Sequence, residues 1–315
     1  MENNIYDLAI LGAGPAGICA AIYATRARLN TIWLDRKFVQ GGQIVDTYEV
    51  DNYPGLPGIT GLDLGEAMAG HAEKLGLKPK REPVLSVTDE GEIKVIRTKK
   101  NEYHARAVII ACGATHRHLG IPGEEELGGM GVSYCATCDA AFFQEGTVAV
   151  VGGGNVAVED AILLSRTCKK VYLVHRRDEL RAAKSIQEKA FKNPKLHFMW
   201  DTVVEEVGGD GILSEMTVKN VKTGELTKIV ADEEDGMFGV FGFIGTLPST
   251  KIFEGKGLEL DERGYIPTDD NMKTNIPGVF AAGDVRVKSL RQVVTAAADG
   301  AIATTQCEKY INEME

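Results

Sequence analysis

The stretch Ile5-Tyr6-Asp7-Leu8-Ala9-Ile10-Leu11-Gly12-Ala13-Gly14-Pro15-Ala16-Gly17 decides the fold. Ile5 to Leu11 reads as a buried strand, and an alanine-rich helix follows from about Pro15 to Arg28. Between them stands G-x-G-x-x-G. Gly12 makes the tight turn, Gly14 lets backbone approach a pyrophosphate, and Gly17 lets helix and strand pack closely. The helix N-terminus then faces the phosphates. Thr31 to Leu34 is a second strand ending at Asp35, where an acid binds ribose hydroxyls.

The pattern returns later in the chain. Strand Thr147–Val151 runs into Gly152-Gly153-Gly154-Asn155-Val156-Ala157, the G-x-G-x-x-A variant, and a helix continues to about Thr167. Strand Val171–Val174 ends in His175-Arg176-Arg177, with Arg181 one turn on. Cations in place of the ribose-binding acid are what a 2′-phosphate requires. The second nucleotide is therefore expected to be NADPH rather than NADH.

Just before that second unit lies Cys135-Ala136-Thr137-Cys138-Asp139. One thiolate of such a pair attacks a substrate disulfide and the other resolves the mixed disulfide. The adjacent Asp139 can trade protons with the thiols. C-x-x-C alone is ambiguous between redox work and half of a zinc site. Its place beside a nucleotide turn favours redox work, and no second C-x-x-C supplies the other half of a zinc site. His116 and His118 read as exposed linker residues rather than ligands, so no metal is expected.

Between these landmarks, Gly41-Gly42-Gln43 and Asn52-Tyr53-Pro54-Gly55 are turn-rich, and Leu62 to Leu75 reads as an amphipathic helix. Val84–Val87, Ile93–Arg97 and Ala107–Ile110 read as strands, closed by the turn Ala111-Cys112-Gly113-Ala114. His116 to Glu124 reads as a linker, residues 195–243 as short strands that complete the second sheet, and Gly242 to Pro248 as the return. Ile276 to Ala282 is an apolar strand ending in Gly283-Asp284, and Arg291-Gln292 opens a small-residue helix. Such a helix N-terminus can face the electron-rich edge of a flavin.

The bulk numbers agree with this outline. The chain has 315 residues, 44% hydrophobic and 25% charged, enough for one or two domains with real cores. A formal net charge of -10 argues against nucleic-acid binding. Six cysteines are too few for a secreted disulfide scaffold. Met1 to Asp7 carries acids and no basic region, unlike a signal peptide, and glycines interrupt the apolar run from Leu8, unlike a membrane span. A cytoplasmic protein is expected.

Taken in order, GAGPAG at 12–17, GGQ at 41–43, NYPG at 52–55, CATCD at 135–139, GGGN at 152–155, HRRDELRA at 175–182, IPGVFAAGD at 276–284 and RQ at 291–292 resemble the low-molecular-weight bacterial thioredoxin reductases over nearly the whole chain. The resemblance implies an α/β fold with two Rossmann-like dinucleotide-binding domains, the NADPH domain inserted into a discontinuous FAD domain. The domains would be 1–115 and 246–315 for FAD and 116–245 for NADPH with the redox pair. It implies a homodimer that reduces thioredoxin. Cys138 would face the flavin, Cys135 would attack thioredoxin, and Asp139 would donate the proton. FAD would be held by Gly12, Gly14, Pro15, Ala16, Gly17, Asp35 and Arg36, by Gly42, Gln43, Asn52 and Gly113, and by Gly283, Asp284, Arg291, Gln292 and Val293. NADPH would meet Gly152, Gly154, Asn155, His175, Arg176, Arg177 and Arg181. Cys112, Ala140-Ala141, the Phe238–Phe243 stretch and Ala298-Asp299-Gly300 depart from the family pattern. Another thioredoxin-like or peroxiredoxin-linked partner is the alternative. The chain opens directly at the first strand, so the extra N-terminal module of the alkyl hydroperoxide reductase flavoprotein is not expected.

Overall fold

A computed structural model describes residues 5–47, 50, 52–232 and 238–314. Residues 1–4, part of the segment read against a signal peptide, lie outside the described residues. The chain divides into two units, Met1–Thr115 with Leu247–Glu315, and His116–Thr246.

The first segment carries β1 (Ile5–Leu11), α1 (Pro15–Arg26), β2 (Thr31–Asp35), α2 (Gly61–Lys74), β3 (Lys80–Arg81), β4 (Val84–Glu90), β5 (Ile93–Thr98), β6 (Glu102–Ile110) and β7 (Ala114–His116). Its sheet order is β3-β2-β1-β6-β5-β4. The strands from β3 to β6 along this order are parallel, and β4, β5 and β6 form an antiparallel meander. The end of β1, Leu8 to Leu11, is a continuous apolar run because both its faces are covered. Leu8 and Ile10 enter one core with α1, while Ala9 and Leu11 enter a second core on the opposite face. α1 ends two residues sooner than expected, because Arg28 turns into the left-handed region at φ 60°. α2 starts behind Thr60, whose hydroxyl accepts the Asp63 N–H at 3.1 Å as an N-cap.

The second unit carries β8 (Val132–Ser133), α3 (Ala136–Asp139), β9 (Thr147–Val151), α4 (Asn155–Leu164), β10 (Lys170–Val174), α5 (Lys184–Phe191), β11 (Leu196–Met199), β12 (Thr202–Gly208), β13 (Glu215–Asn220), β14 (Leu226–Val230) and β15 (Phe238–Gly242). A parallel sheet runs β11-β10-β9-β15-β8. The expectation that residues 195–243 all complete this sheet is corrected. Only β11 and β15 join it, and β12, β13 and β14 form a separate antiparallel sheet. Short hairpin connections pair these three with one another first, as short loops dictate. Val204, Val207, Met216 and Val218 then pack their apolar side against Val174, Phe238 and Val240.

The returning segment carries β16 (Thr246–Pro248), β17 (Val279–Ala281) and α6 (Val293–Asn312). β17 lies parallel to β6, with Val279, Phe280 and Ala281 opposite Val108, Ile109 and Ile110. α6 packs on α1 at backbone distance. A Cβ on Gly300 would overlap the Ala16 carbonyl, and Thr304 Oγ1 donates to the Ala20 carbonyl at 3.2 Å. This close helix pair brings the C-terminal segment to the first glycine turn.

Candidate active site

The predicted residues of the first unit collect at the carboxyl ends of β1, β2, β6 and β17, where open parallel sheets bind ligands. Gly12 has φ +112°, and a Cβ there would overlap the Ala111 carbonyl. A Cβ on Gly17 would overlap the carbonyl of Gly12 itself. That carbonyl also accepts the Trp33 indole N–H at 2.9 Å, so Trp33 braces the turn from β2. Gly14 precedes α1 with no side-chain cap, and Pro15 and Ala16 follow it. The first N–H groups of the helix thus stay free for an anion. Gly42 crosses above, and a Cβ on it would stand 3.0 Å from Gly14 Cα.

Around this cradle the polar groups are sparse, Asp35 and Asp284 half-buried and Asn52 exposed. Burial pushes the Asp35 carboxyl above its usual range, against the opposing pull of the Arg36 and Lys37 backbone. The Cys112 thiol is pushed up to about 12, by desolvation first and by the Asp35 carboxylate second. Gly113 follows at φ +67°, with open space where a Cβ would lie. Gln43 Nε2 donates to the Ala114 carbonyl. Asn52 Nδ2 donates to Gln292 Oε1 at 2.9 Å, tying the loop after β2 to the start of α6. Gln292 is the N-cap before Val293 and shares a capping box with Thr295.

Gly283 has φ +79°, and its N–H donates to Asp299 Oδ2 at 3.0 Å. Asp284 is raised by burial, which Lys288 and Arg291 oppose. Its Oδ1 is buried with no hydrogen-bond partner among the described residues. Arg291 sits 4.2 Å over the Tyr265 ring, and its Nε donates to the Asp284 carbonyl at 3.4 Å. A glycine-lined cradle, an uncapped helix end and an orphaned buried carboxyl oxygen fit the diphosphate and hydroxyls of a flavin dinucleotide.

In the second unit the sites again stand at the carboxyl ends of parallel strands. Cys135 and Cys138 are joined as a disulfide with Cα atoms 5.3 Å apart, so neither sulfur is a free thiolate ligand. Cys135 is the N-cap of α3, and its carbonyl accepts the N–H groups of Cys138 at 3.3 Å and Asp139 at 3.2 Å. Both cysteines are partly exposed. Burial raises the Asp139 carboxyl, and a hydrogen bond from Ser133 opposes that rise.

Two strands away, Gly154 precedes α4 without a side-chain cap and with open space where a Cβ would lie. Gly152, at φ +156°, lies so near that a Cβ would be 2.6 Å from the Phe243 carbonyl and 2.7 Å from Ala157 Cβ. The Gly153 carbonyl accepts the N–H groups of Arg181 at 2.7 Å and Ala182 at 3.1 Å. Asn155 Oδ1 accepts the Ala183 N–H at 2.8 Å. These bonds station Arg181 beside the helix N-terminus. Arg176, Arg177 and Arg181 are all exposed, which suits an incoming phosphate.

His175 is 5% exposed, and a Cβ on Gly153 would collide with its ring. Burial first, then the charges of Arg181, Arg177 and Arg176, hold its pKa below the usual value, against a backbone hydrogen bond with Glu179. The imidazole stands under the glycine turn.

Two residues here escaped the sequence reading: Trp33 and Ser133. Ser133 carried the nearest signal, two residues before Cys135 in the same short segment.

The family model described as pyridine nucleotide-disulphide oxidoreductase matches residues 6–300. A thioredoxin reductase of Peptoclostridium acidaminophilum is 59% identical over 98% of both chains. One from Listeria innocua is 48% identical, over 100% of this chain and 96% of that one. The crystal structure of a thioredoxin reductase from Streptococcus pyogenes matches with a TM-score of 0.92 at 44% identity, covering 99% of this chain and 100% of that one.

Proposed function

The chain belongs to the pyridine nucleotide-disulphide oxidoreductase family, and on that premise we propose that His116–Thr246 binds NADPH and the two flanking segments bind FAD. The activity is thioredoxin-disulfide reduction, with NADPH as electron donor and FAD as carrier. The observation that carries the route is one sheet edge. The Cys135–Cys138 disulfide after β8 and the nucleotide turn after β9 stand at the same carboxyl edge, separated by β15.

When bound, FAD would supply a two-electron carrier between NADPH and a disulfide. Gly14, Gly42 and the start of α1 would bind its diphosphate, Asp35 a ribose, and Asp284 a hydroxyl. Gly152, Gly154 and the start of α4 bind the NADPH diphosphate, and Arg176, Arg177 and Arg181 grip the 2′-phosphate. Cys138 takes the electrons, Asp139 supplies a proton to the thiol pair, and Cys135 attacks the disulfide of thioredoxin. The thioredoxin disulfide is reduced as Cys135 and Cys138 close again.

We assign a homodimer in the cytoplasm that binds neither nucleic acid nor membrane. The net charge of -10 supports the first exclusion. Among the described residues no helix is long and apolar enough to cross a membrane. The experiment is a visible spectrum of the purified protein, followed by anaerobic NADPH titration with and without thioredoxin. A flavin band that bleaches with NADPH and returns on adding oxidised thioredoxin supports the reading. A colourless protein that takes up no FAD overturns it.

A further inference from the structure

Ser133 ends β8 and is buried at 6% exposure. Its hydroxyl donates to Asp139 Oδ2 at 2.5 Å and accepts the Cys135 N–H at 3.1 Å. One small side chain thus touches both the backbone of the first cysteine and the carboxyl after the second. The other carboxyl oxygen, Asp139 Oδ1, is buried with no partner among the described residues. We propose that Ser133 is the positioning residue of the redox centre, holding Asp139 by Oδ2 so that Oδ1 is the oxygen that gives up the proton. The inference rests on the reading of Asp139 as proton donor.

The chemistry sets the requirement. Reduction breaks the Cys135–Cys138 bond and adds two electrons, which come from NADPH, and two protons. One proton comes from Asp139 and the other from solvent. An acid whose carboxyl rotated freely would present the proton in many directions. A hydroxyl fixed by a backbone N–H removes that freedom. A short bond to a carboxylate favours its ionised form, because it is charge-assisted. Ser133 therefore also limits how far burial can raise the acid.

Few other charges face this group. The helix packed against α3 is α4, whose ionisable residues are Glu159 and Asp160. Neither contributes to the Asp139 shift, which has burial and the Ser133 bond as its causes. The neighbouring strand Phe238–Gly242 and the turn Ala140–Phe143 carry no ionisable side chain.

The test uses the holoenzyme with Ser133→Ala, Ser133→Thr, Asp139→Asn and the double variant Ser133→Ala/Asp139→Asn. Two quantities are read: kcat against pH with NADPH and thioredoxin, and an isotope-edited infrared titration of the Asp139 carboxyl in the oxidised protein. Ser133→Ala is expected to move both the carboxyl titration and the alkaline limb of kcat upward by roughly one pH unit, about tenfold in proton affinity. Ser133→Thr, which keeps the hydroxyl, is expected to restore both. On the Asp139→Asn background, Ser133→Ala is expected to change kcat by less than about twofold, since a residue acting through another adds nothing once that other is gone. The proposal is overturned if Ser133→Ala lowers kcat equally at every pH with an unmoved infrared titration, or if the two losses multiply. Should Ser133→Ala fail to fold, Ser133→Thr alone decides: an infrared titration displaced from wild type overturns the proposal. If Asp139→Asn leaves the pH limb in place, the proton-donor reading fails and the inference fails with it. The infrared arm then shows separately whether Ser133 holds the carboxyl.

Discussion

Lys288 Nζ lies 2.7 Å from Asp299 Oδ2, and each side chain is 8% exposed. Arg286 Nη1 reaches the other oxygen, Oδ1, at 3.1 Å. The Gly283 N–H completes the set. One buried carboxylate thus pairs with two cations and fixes the turn that presents Asp284.

Asp299→Asn keeps the shape and removes the charge that balances Arg286 and Lys288. Leaving buried charges uncompensated costs about 3–5 kcal/mol, so we expect a stability loss near the lower end of that range. Weaker FAD binding should accompany it. Urea unfolding and FAD titration of the apoprotein read the two effects. Lys288→Met, which leaves the Arg286 pair intact, should cost far less. Equal losses for the two variants would show that the cluster is not organised around Asp299.

The nucleotide preference divides between two kinds of residue. Arg176→Ala and Arg177→Ala should weaken NADPH by about 10- to 150-fold, the cost of about 1.5–3 kcal/mol for a lost charge-assisted contact. NADH should be nearly unaffected. Gly153→Ala should weaken both cofactors alike, because its methyl would displace the His175 ring under the turn. Steady-state KM values for NADPH and NADH decide the matter. Parallel losses in the arginine variants would mean that they do not read the 2′-phosphate.

What was legible in the sequence follows from how local each constraint is. Gly12 and Gly17 are required by carbonyls within a few residues or on the next strand, so a glycine fingerprint in strand–turn–helix context exposes them. β12, β13 and β14 were legible as strands but not in their sheet membership, because alternation marks an exposed face without naming a partner. His175 shows its side-chain type in sequence but not its depth, which only the folded turn sets. Asp299 was opaque for a related reason. Its partners Arg286 and Lys288 lie 13 and 11 residues away across a turn and a helix start. Only the folded backbone brings them together.

Burial raises the Asp160 carboxyl to about 6, with the Glu159 charge adding to it. The folded state therefore binds this proton more tightly than the unfolded chain. Below the unfolded value both states are protonated and the burial is without penalty. As pH rises through about 6 the folded carboxyl must ionise, and that part of the stability is lost. Asp160→Asn cannot ionise. Its stability relative to wild type should rise between ~pH 4 and ~pH 6.5 and then level off. Urea midpoints across that range test it, and a pH-independent difference would remove burial of the charge as the cause.

The two cysteines should be separable by trapping. Both are partly exposed in the disulfide, so access alone does not rank them. Their surroundings do differ: Cys135 caps α3 and has Thr137 Oγ1 3.4 Å from its sulfur, while Cys138 precedes Asp139. With Cys135 as nucleophile, Cys138→Ser retains the attacking thiolate and loses the one that resolves. Reduced Cys138→Ser should then form a stable mixed disulfide with a thioredoxin that lacks its own resolving cysteine and is activated as a disulfide. Cys135→Ser should form none, yet its flavin should still bleach with NADPH, because the carrier is untouched. A long-wavelength band from the Cys138 thiolate against the flavin would mark that variant. Counting covalent adducts by mass spectrometry reads the outcome. Adducts on Cys135→Ser and none on Cys138→Ser would reverse the two roles. Full turnover by either single variant would show that electrons do not pass through this pair at all, and the route proposed from the shared sheet edge would fall.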